Sequence, residues 1–382
     1  MIANSLSRMV CRGFVLLVLS GFLTGLSGGV AHTAPPVEEA ALVRSTLILP
    51  TVIDGNEYAL DMLILAPPGP GPFPLAVIAH GSPRNPSARR RMTTLSFLPQ
   101  ATEFARRGYH TAVFMRRGYG RSDGEWAEEY GECDFAYYAK AAAETSKDIV
   151  GVIGALKARP DVDAGRILVV GRSAGGLGAV ATAAANPGGV LAAINFAGGR
   201  GSRRAGEVCS EDELVDAFET FGETARIPML WVYAENDGYF RPDLARRFHA
   251  EFTEGGGRAQ LVLTGPFGAD GHTLFSGAGI PVWRPLVDDF LRQTGLPNWD
   301  APPPLPAVPD IAPPQGLSEK GQEHWRRYLA APENKAFVKS RSGERFGWRS
   351  GRNTPSEAEA GALGNCRADD CEVVSVNGSA PK

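Results

Sequence analysis

Short apolar runs alternate along this chain with longer segments whose apolar positions recur every three or four residues. Leu42 to Leu49 and Tyr58 to Leu65 alternate in a strand-like way on either side of Asp54-Gly55-Asn56, which predicts two antiparallel strands joined by a tight turn. After the loop Pro67 to Pro74, Leu75 to Ala79 reads as a buried strand that stops at His80-Gly81-Ser82. A helix follows from about Thr94 to Arg107, closed by Gly108, and a strand runs from His110 to Met115. Beyond it come a glycine-rich turn, an insertion, and a helix from about Tyr138 to Ala158. The strand Ile167–Val170 and the helix Ala174–Ala185 are next. Strands Val190–Asn195, Met229–Tyr233 and Gln260–Leu263 alternate with helices near Pro242–Phe252 and Pro281–Gln293. Strands alternating with helices predict an α/β fold, with a mostly parallel sheet covered on both faces.

The two ends of the chain break this rhythm. Residues 1–31 read as a secretory signal peptide: Arg8 and Arg12 form a basic start, Phe14 to Leu26 is a short apolar run, and Gly29-Val30-Ala31 offers small residues for cleavage after Ala31. The competing reading is an uncleaved anchor, for which the apolar run is short. Residues 32–295 would then be the main domain. Leu296 to Gly316 is proline-rich and reads as a semi-rigid linker over residues 296–316. Residues 317–382 form a small α+β module: a helix near Glu319–Leu329, a hairpin through Lys335–Lys339 and Arg345–Trp348, a helix Ser356–Leu363 ending at Gly364, and a last strand Cys371–Val376. The module resembles a tail found on some exported bacterial proteins and holds no catalytic constellation; a docking role and a stabilising cap both remain open.

Export bears on the cysteines. Cleavage removes Cys11 and leaves Cys133, Cys209, Cys366 and Cys371, an even number that suggests disulfides in a periplasmic or secreted protein. Cys366 and Cys371 are close enough in sequence to close a small loop, which leaves Cys133 with Cys209. The spacings do not fit a zinc site. The formal net charge of −3 argues against nucleic acid or an anionic membrane surface as partner. It sets no oligomeric state.

The chemistry centres on Ile167 to Val180. An apolar run stops at Gly171-Arg172-Ser173-Ala174-Gly175, and a small-residue segment follows. A serine between two glycines at a strand-to-helix turn is the context of a nucleophile elbow. The pattern alone decides little, because it also occurs at Gly25–Gly29 and at Gly120–Gly124. Only the copy at Ser173 has a strand before it and a helix after it. The plainer reading of Ser173 is a helix N-cap.

His80-Gly81-Ser82 after an early strand, Arg117-Gly118-Tyr119-Gly120-Arg121-Ser122 after the next, the elbow at Ser173, and Asp237 and His272 in that order resemble the α/β-hydrolase superfamily. The nearest branch is the one that holds dienelactone-hydrolase-like and prolyl-oligopeptidase-like proteins. The resemblance covers roughly residues 42–295. Dienelactone hydrolases use a cysteine where this chain has Ser173, so the resemblance carries the fold more firmly than that substrate.

A serine hydroxyl needs a base within hydrogen-bond reach and a third group to orient that base. Three histidines follow Ser173. His249 falls in an amphipathic helix and His324 beyond the linker. His272 sits in Gly268-Ala269-Asp270-Gly271-His272, a loop after the last strand, and is the candidate base. The acid should leave the preceding strand through Glu235-Asn236-Asp237-Gly238. The resemblance selects Asp237, with Glu235 as chief competitor and Asp270 as a weaker one. The N–H of Ala174 at the head of a helix is one oxyanion donor, and the resemblance supplies the N–H of Ser82 as the second. His80 reads as a structural residue of that loop.

Two insertions, Glu125–Phe135 and Gly198–Phe221, border the expected mouth, and each carries one of the cysteines 133 and 209. They are rich in Glu, Tyr, Trp and Arg. That composition fits a polar-rimmed aromatic pocket and solvated loops equally well. The expectation is an exported serine hydrolase that cleaves a small ester through an acyl-enzyme and needs no cofactor or metal. A peptidase acting on short peptides is the alternative, and a non-catalytic binding protein that keeps the fold is the second.

Overall fold

The computed structural model describes residues 41–305 and 307–380. The expected leader, residues 1–31, and the first copy of the serine pattern lie outside the described residues.

The chain opens with β1 (Val43–Ile53) and β2 (Asn56–Ala66), paired antiparallel from end to end. Asp54 and Gly55 make the turn between them, both at positive φ (50° and 78°), the conformation a two-residue hairpin requires. β3 (Phe73–Ala79), β4 (His110–Phe114), β5 (Val162–Arg172), β6 (Val190–Phe196), β7 (Met229–Ala234) and β8 (Ala259–Thr264) complete one eight-stranded sheet in the order β1-β2-β4-β3-β5-β6-β7-β8. Every neighbouring pair from β4 to β8 is parallel; only β1 and β2 form antiparallel pairs. The inner strands are apolar on both faces because helices cover both.

On one face, α2 (Tyr138–Lys157), α3 (Ala174–Ala185), α4 (Glu211–Thr224) and α5 (Pro242–Glu254) bury Ile149, Leu177, Phe218 and Phe248 against the sheet. On the other, α1 (Leu98–Arg106) and α6 (Ile280–Thr294) bury Phe104 and Trp283. α3 has no polar side: Ala174 through Ala183 are all buried, so its Gly and Ala residues let it lie close to the sheet between its neighbours.

Three elements differ from the sequence reading. The segment 94–107 is a 3-10 turn, Thr94–Phe97, before α1 begins at Leu98; Thr93 caps the turn and Pro99 stands in the first turn of α1. The insertion Gly198–Phe221 is not a loop throughout, because its second half is α4. Leu214, Val215, Ala217, Phe218 and Phe221 form its buried stripe, and Glu211, Asp212 and Glu213 stand at its N-terminus. In the C-terminal region the helix α8 (Pro355–Cys366) runs past Gly364, where a stop was expected. Its last residue is tied to Cys371, and the chain turns at Arg367 in the left-handed conformation.

That C-terminal region also holds α7 (Glu319–Ala330) and three antiparallel strands, β9 (Ala336–Lys339), β10 (Phe346–Arg349) and β11 (Glu372–Val376), in the order β10-β9-β11. Phe337 packs under Trp325 and Tyr328 of α7, while Ala336 and Val338 pack on Ala358 and Ala362 of α8. The proline-rich stretch is tied to the main body at its start: Trp299 is nearly buried beside Gly108, and the Pro303 carbonyl accepts from Arg106.

Candidate active site

Strand order decides which loops meet. Ala79 at the end of β3 pairs with Gly171 near the end of β5, so the exit loops carrying His80-Gly81-Ser82 and Ser173 lie side by side. Ala234 pairs with Thr264 at the ends of β7 and β8, which brings the loops of Asp237 and His272 together. All four loops leave the carboxyl ends of parallel strands, where ligand sites in open α/β sheets form.

The elbow is built from close approaches that only glycine permits. A Cβ at Gly171 would run into the Gly175 carbonyl, and one at Gly175 would run into the carbonyls of Ala79 and His80. Ser173 itself takes φ 56° and ψ −124°, a conformation that costs a non-glycine residue about 1–3 kcal/mol. Its backbone is braced: Ser173 N–H donates to the Phe196 carbonyl at 2.9 Å, and the Ser173 carbonyl accepts from Leu177 (3.0 Å) and Gly199 (3.2 Å). The side chain is not: among the described residues nothing hydrogen-bonds the Ser173 hydroxyl, which makes no N-cap bond either.

Asp237 is buried and Glu235 exposed, which separates the two carboxylates of that loop. Asp237 Oδ1 accepts from the backbone N–H groups of Tyr239 (2.7 Å) and Phe240 (3.0 Å), so its position is fixed by its own turn. His272 Nδ1 stands 3.1 Å from both carboxylate oxygens. Donation from Nδ1 leaves Nε2 as the basic nitrogen. Burial pushes the His272 imidazole below its ordinary 6.5, with Asp237 pulling the other way, so the ring is a neutral base at neutral pH. Tyr239 lies flat on His272 with ring centres 3.8 Å apart, and Phe240 meets it edge-on at 5.7 Å. Asp270 plays a different part. Its Oδ1 accepts from Gly238 N–H (2.9 Å) and His272 N–H (3.0 Å), clasping the two loops.

His249 and His324 are occupied elsewhere. His249 on α5 bonds the Ala259 carbonyl at 2.9 Å, and His324 on α7 accepts from the Trp348 indole at 3.2 Å. His80 is fully buried, with Nδ1 donating to the Gly81 carbonyl (2.6 Å) and Nε2 accepting from Arg116 N–H (3.1 Å). Burial, with Arg116 close by, holds it neutral.

Ser82, Ser173 and Ala174 line one cavity of about 320 Å³ together with Trp126, Arg200 and Tyr239. Trp126 and Arg200 come from the two insertions. Cys133 and Cys209 stand at bonding distance, with sulfurs 2.15 Å apart, and join those insertions beside the cavity. Cys366 and Cys371 form the second pair at 2.01 Å. No group of residues suited to holding a metal ion occurs among the described residues.

Under the cavity lies a buried network that sequence reasoning did not find. Glu128 accepts from the Arg116 guanidinium, from Arg200 Nη2 (2.6 Å) and from the Tyr119 hydroxyl (2.9 Å). Arg116 also donates to the His80 carbonyl, and Tyr119 bonds the Ser82 hydroxyl at 2.9 Å. Burial pushes the Glu128 carboxyl up, but Arg116 and Arg200 outweigh it and hold the group well below the usual carboxylate range. The network therefore stays charged and fixes the loop that carries Ser82. The only trace in the sequence was an Arg- and Glu-rich composition around the insertions.

The family model described as X-Pro dipeptidyl-peptidase (S15 family) matches residues 54–220, which include Ser173 and stop short of Asp237 and His272. Among solved structures, a Bacteroides ovatus protein described as a dipeptidyl aminopeptidase IV aligns with a TM-score of 0.50 at 16% identity, over 66% of this chain and 36% of its own. The chain has the α/β-hydrolase fold. An esterase from Pyrococcus furiosus (14% identity, TM-score 0.47, 68% of this chain and 98% of that one) and a Klebsiella pneumoniae protein described as a dienelactone hydrolase (15%, 0.44, 67% and 99%) also align. No curated protein matches the chain.

Proposed function

We propose that the chain is a serine hydrolase of carboxylic esters with Ser173 as nucleophile, His272 as base and Asp237 as the group that orients it. The observation that carries this reading is an unspent serine hydroxyl on a strained elbow. It opens into the same cavity as Tyr239, whose ring lies on a buried, Asp-held histidine. Ser173 Oγ attacks the ester carbonyl as His272 Nε2 takes its proton. The backbone N–H groups of Ser82 and Ala174 receive the oxyanion, helped by the N-terminus of α3. The proton then passes to the departing alcohol, leaving an acyl-enzyme. Water, deprotonated by His272, releases the acid and restores Ser173.

The S15-family match favours a second reading, cleavage after an X-Pro dipeptide. Labelling with a fluorophosphonate tests the nucleophile: wild type takes the label and Ser173→Ala does not, and an unlabelled wild type would favour a binding protein that keeps the fold. Turnover of p-nitrophenyl esters against aminoacyl-prolyl p-nitroanilides then separates esterase from peptidase. The two cysteine pairs and the leader-like residues 1–31 support a periplasmic or secreted location. Among the described residues no helix is long and apolar enough to cross a membrane.

A further inference from the structure

The chemical character of the cavity bears on the substrate. Its lining includes four guanidinium groups, Arg84, Arg89, Arg200 and Arg203, and no Asp or Glu. Cations of this number are ordinarily matched by carboxylates, yet Arg84, Arg89 and Arg203 have none within ion-pair distance among the described residues. Arg200 shares the single carboxylate of Glu128 with Arg116, so that cluster also carries net positive charge.

Two of the guanidiniums are stacked on aromatic rings. Arg89 lies 3.5 Å over the Trp126 ring and Arg84 lies 3.6 Å over the Tyr239 ring. Arg84 is fixed further by donating to the Ser202 hydroxyl at 2.8 Å. Stacking orders a guanidinium without consuming its N–H donors. Two donors are left unspent and out of contact with water. Among the described residues, Nε of Arg89 and Nε of Arg200 are buried with no partner, and Arg200 as a residue is only 5% exposed. A concave site of one sign also concentrates ligands of the other.

We infer that this cavity takes an ester carrying an anionic group, a carboxylate or a phosphate, seated on Arg89, Arg200 and Arg203 while its carbonyl sits at Ser173. The inference rests on the ester-hydrolase reading and narrows it. It also opposes the dipeptidyl-peptidase reading on chemical grounds. A dipeptidyl substrate presents an α-ammonium group, and this lining sets four guanidiniums and no carboxylate before it.

Two measurements test it, one of them independent of catalysis. The first compares kcat/KM for the p-nitrophenyl monoester of glutarate with that for p-nitrophenyl valerate, which has the same chain length and no charge. The charged ester is expected to win by at least about tenfold at low salt, as suits a charge-assisted contact. That advantage should shrink as NaCl is raised and collapse in Arg89→Gln and Arg203→Gln; the second residue is exposed on the short strand Ser202–Arg204, and its variant guards against misfolding of the first. The second measurement titrates the Ser173→Ala protein calorimetrically with glutarate and, separately, with inorganic phosphate. Binding of glutarate alone assigns a carboxylate, binding of phosphate alone assigns a phosphate as the anionic group of the ester, and binding of both supports the anion site without choosing. Equal or better turnover of valerate, with neither anion binding to Ser173→Ala, overturns the proposal while leaving the esterase intact. Anion binding in a protein that turns over neither ester keeps the anion site and removes the esterase reading.

Discussion

The described chain contains the pattern Gly-x-Ser-x-Gly twice, and the two copies have opposite fates. At Gly120–Gly124 the serine is spent. Ser122 is buried, donates to the Met115 carbonyl at 2.5 Å, and accepts from Asp61 N–H at 2.9 Å. At Gly171–Gly175 the backbone of Ser173 is fully engaged, while its hydroxyl has no partner among the described residues and opens on a cavity. Ser122 pins the end of β4 to β2, whereas Ser173 is presented by a turn at positive φ that nothing but the elbow requires. A hydroxyl that satisfies buried backbone groups holds structure together and is unfit to attack anything. One left unsatisfied at some conformational cost is available for chemistry.

The largest effect that could break this comparison is at Ser173. If the two serines differ as argued, Ser173→Ala loses ester hydrolysis by about 10⁵–10⁶-fold, the scale of removing a triad nucleophile, with thermal unfolding unchanged, since alanine keeps a Cβ at the same positive φ. A residual rate near that of wild type would make the elbow a structural turn like the other. The same logic separates two aspartates. Asp237→Asn is expected to cost about 10⁴-fold in kcat, because an amide cannot hold His272 in the tautomer that leaves Nε2 free. Asp270→Asn weakens a clasp between two loops without touching the ring nitrogens, so its kcat should stay within about tenfold of wild type, with a lowered melting temperature. Equal losses in the two variants would mean that loop position rather than the histidine pair limits the rate.

How far these distinctions could be read beforehand depended on whether they were local. Strands such as Leu75–Ala79, and the turn at Asp54-Gly55, carry their signal within a few residues, so their places were legible. So was the separation of Ser122 from Ser173, since a strand before and a helix after are sequence features. α4 was missed because its apolar stripe, Leu214 to Phe221, begins within a segment that also reads as an Arg- and Gly-rich loop. The Arg116–Glu128–Arg200 network and the paired-off state of Ser122 were illegible for another reason. Each joins residues from different loops, and only the strand order brings those loops together. The arginines lining the cavity appeared in the sequence merely as composition.

A pH profile sharpens the comparison from the side of the base. The proposed mechanism needs His272 neutral, and burial lowers its pKa despite Asp237. The acid limb of kcat/KM should therefore fall below the ordinary imidazole value of about 6.5, with activity flat through neutral pH and lost as pH drops through the lowered value. A limb above 6.5 would mean that Asp237 outweighs burial. Ser122 should leave no mark on this profile.

The smallest effect is the one that completes the contrast. Ser122→Ala removes the acceptor of Asp61 N–H and the donor to the Met115 carbonyl, both in buried surroundings, and puts no new bulk in their place. The loss of buried hydrogen bonds of this kind costs about 1–3 kcal/mol, enough to lower the denaturation midpoint measurably. Asp61 also carries the Arg121 ion pair at 2.6 Å, so some disturbance of that loop is included in the figure. Yet kcat for a p-nitrophenyl ester should remain within about twofold of wild type, since Ser122 touches neither the cavity lining nor the loops of Asp237 and His272. Stability lost with turnover kept is the signature of a spent serine, and it is the mirror image of what Ser173→Ala should do. Were Ser122→Ala to lose turnover while keeping its midpoint, a free hydroxyl would no longer distinguish the two serines, and the turn at Gly120–Gly124 would have to be counted as part of the site.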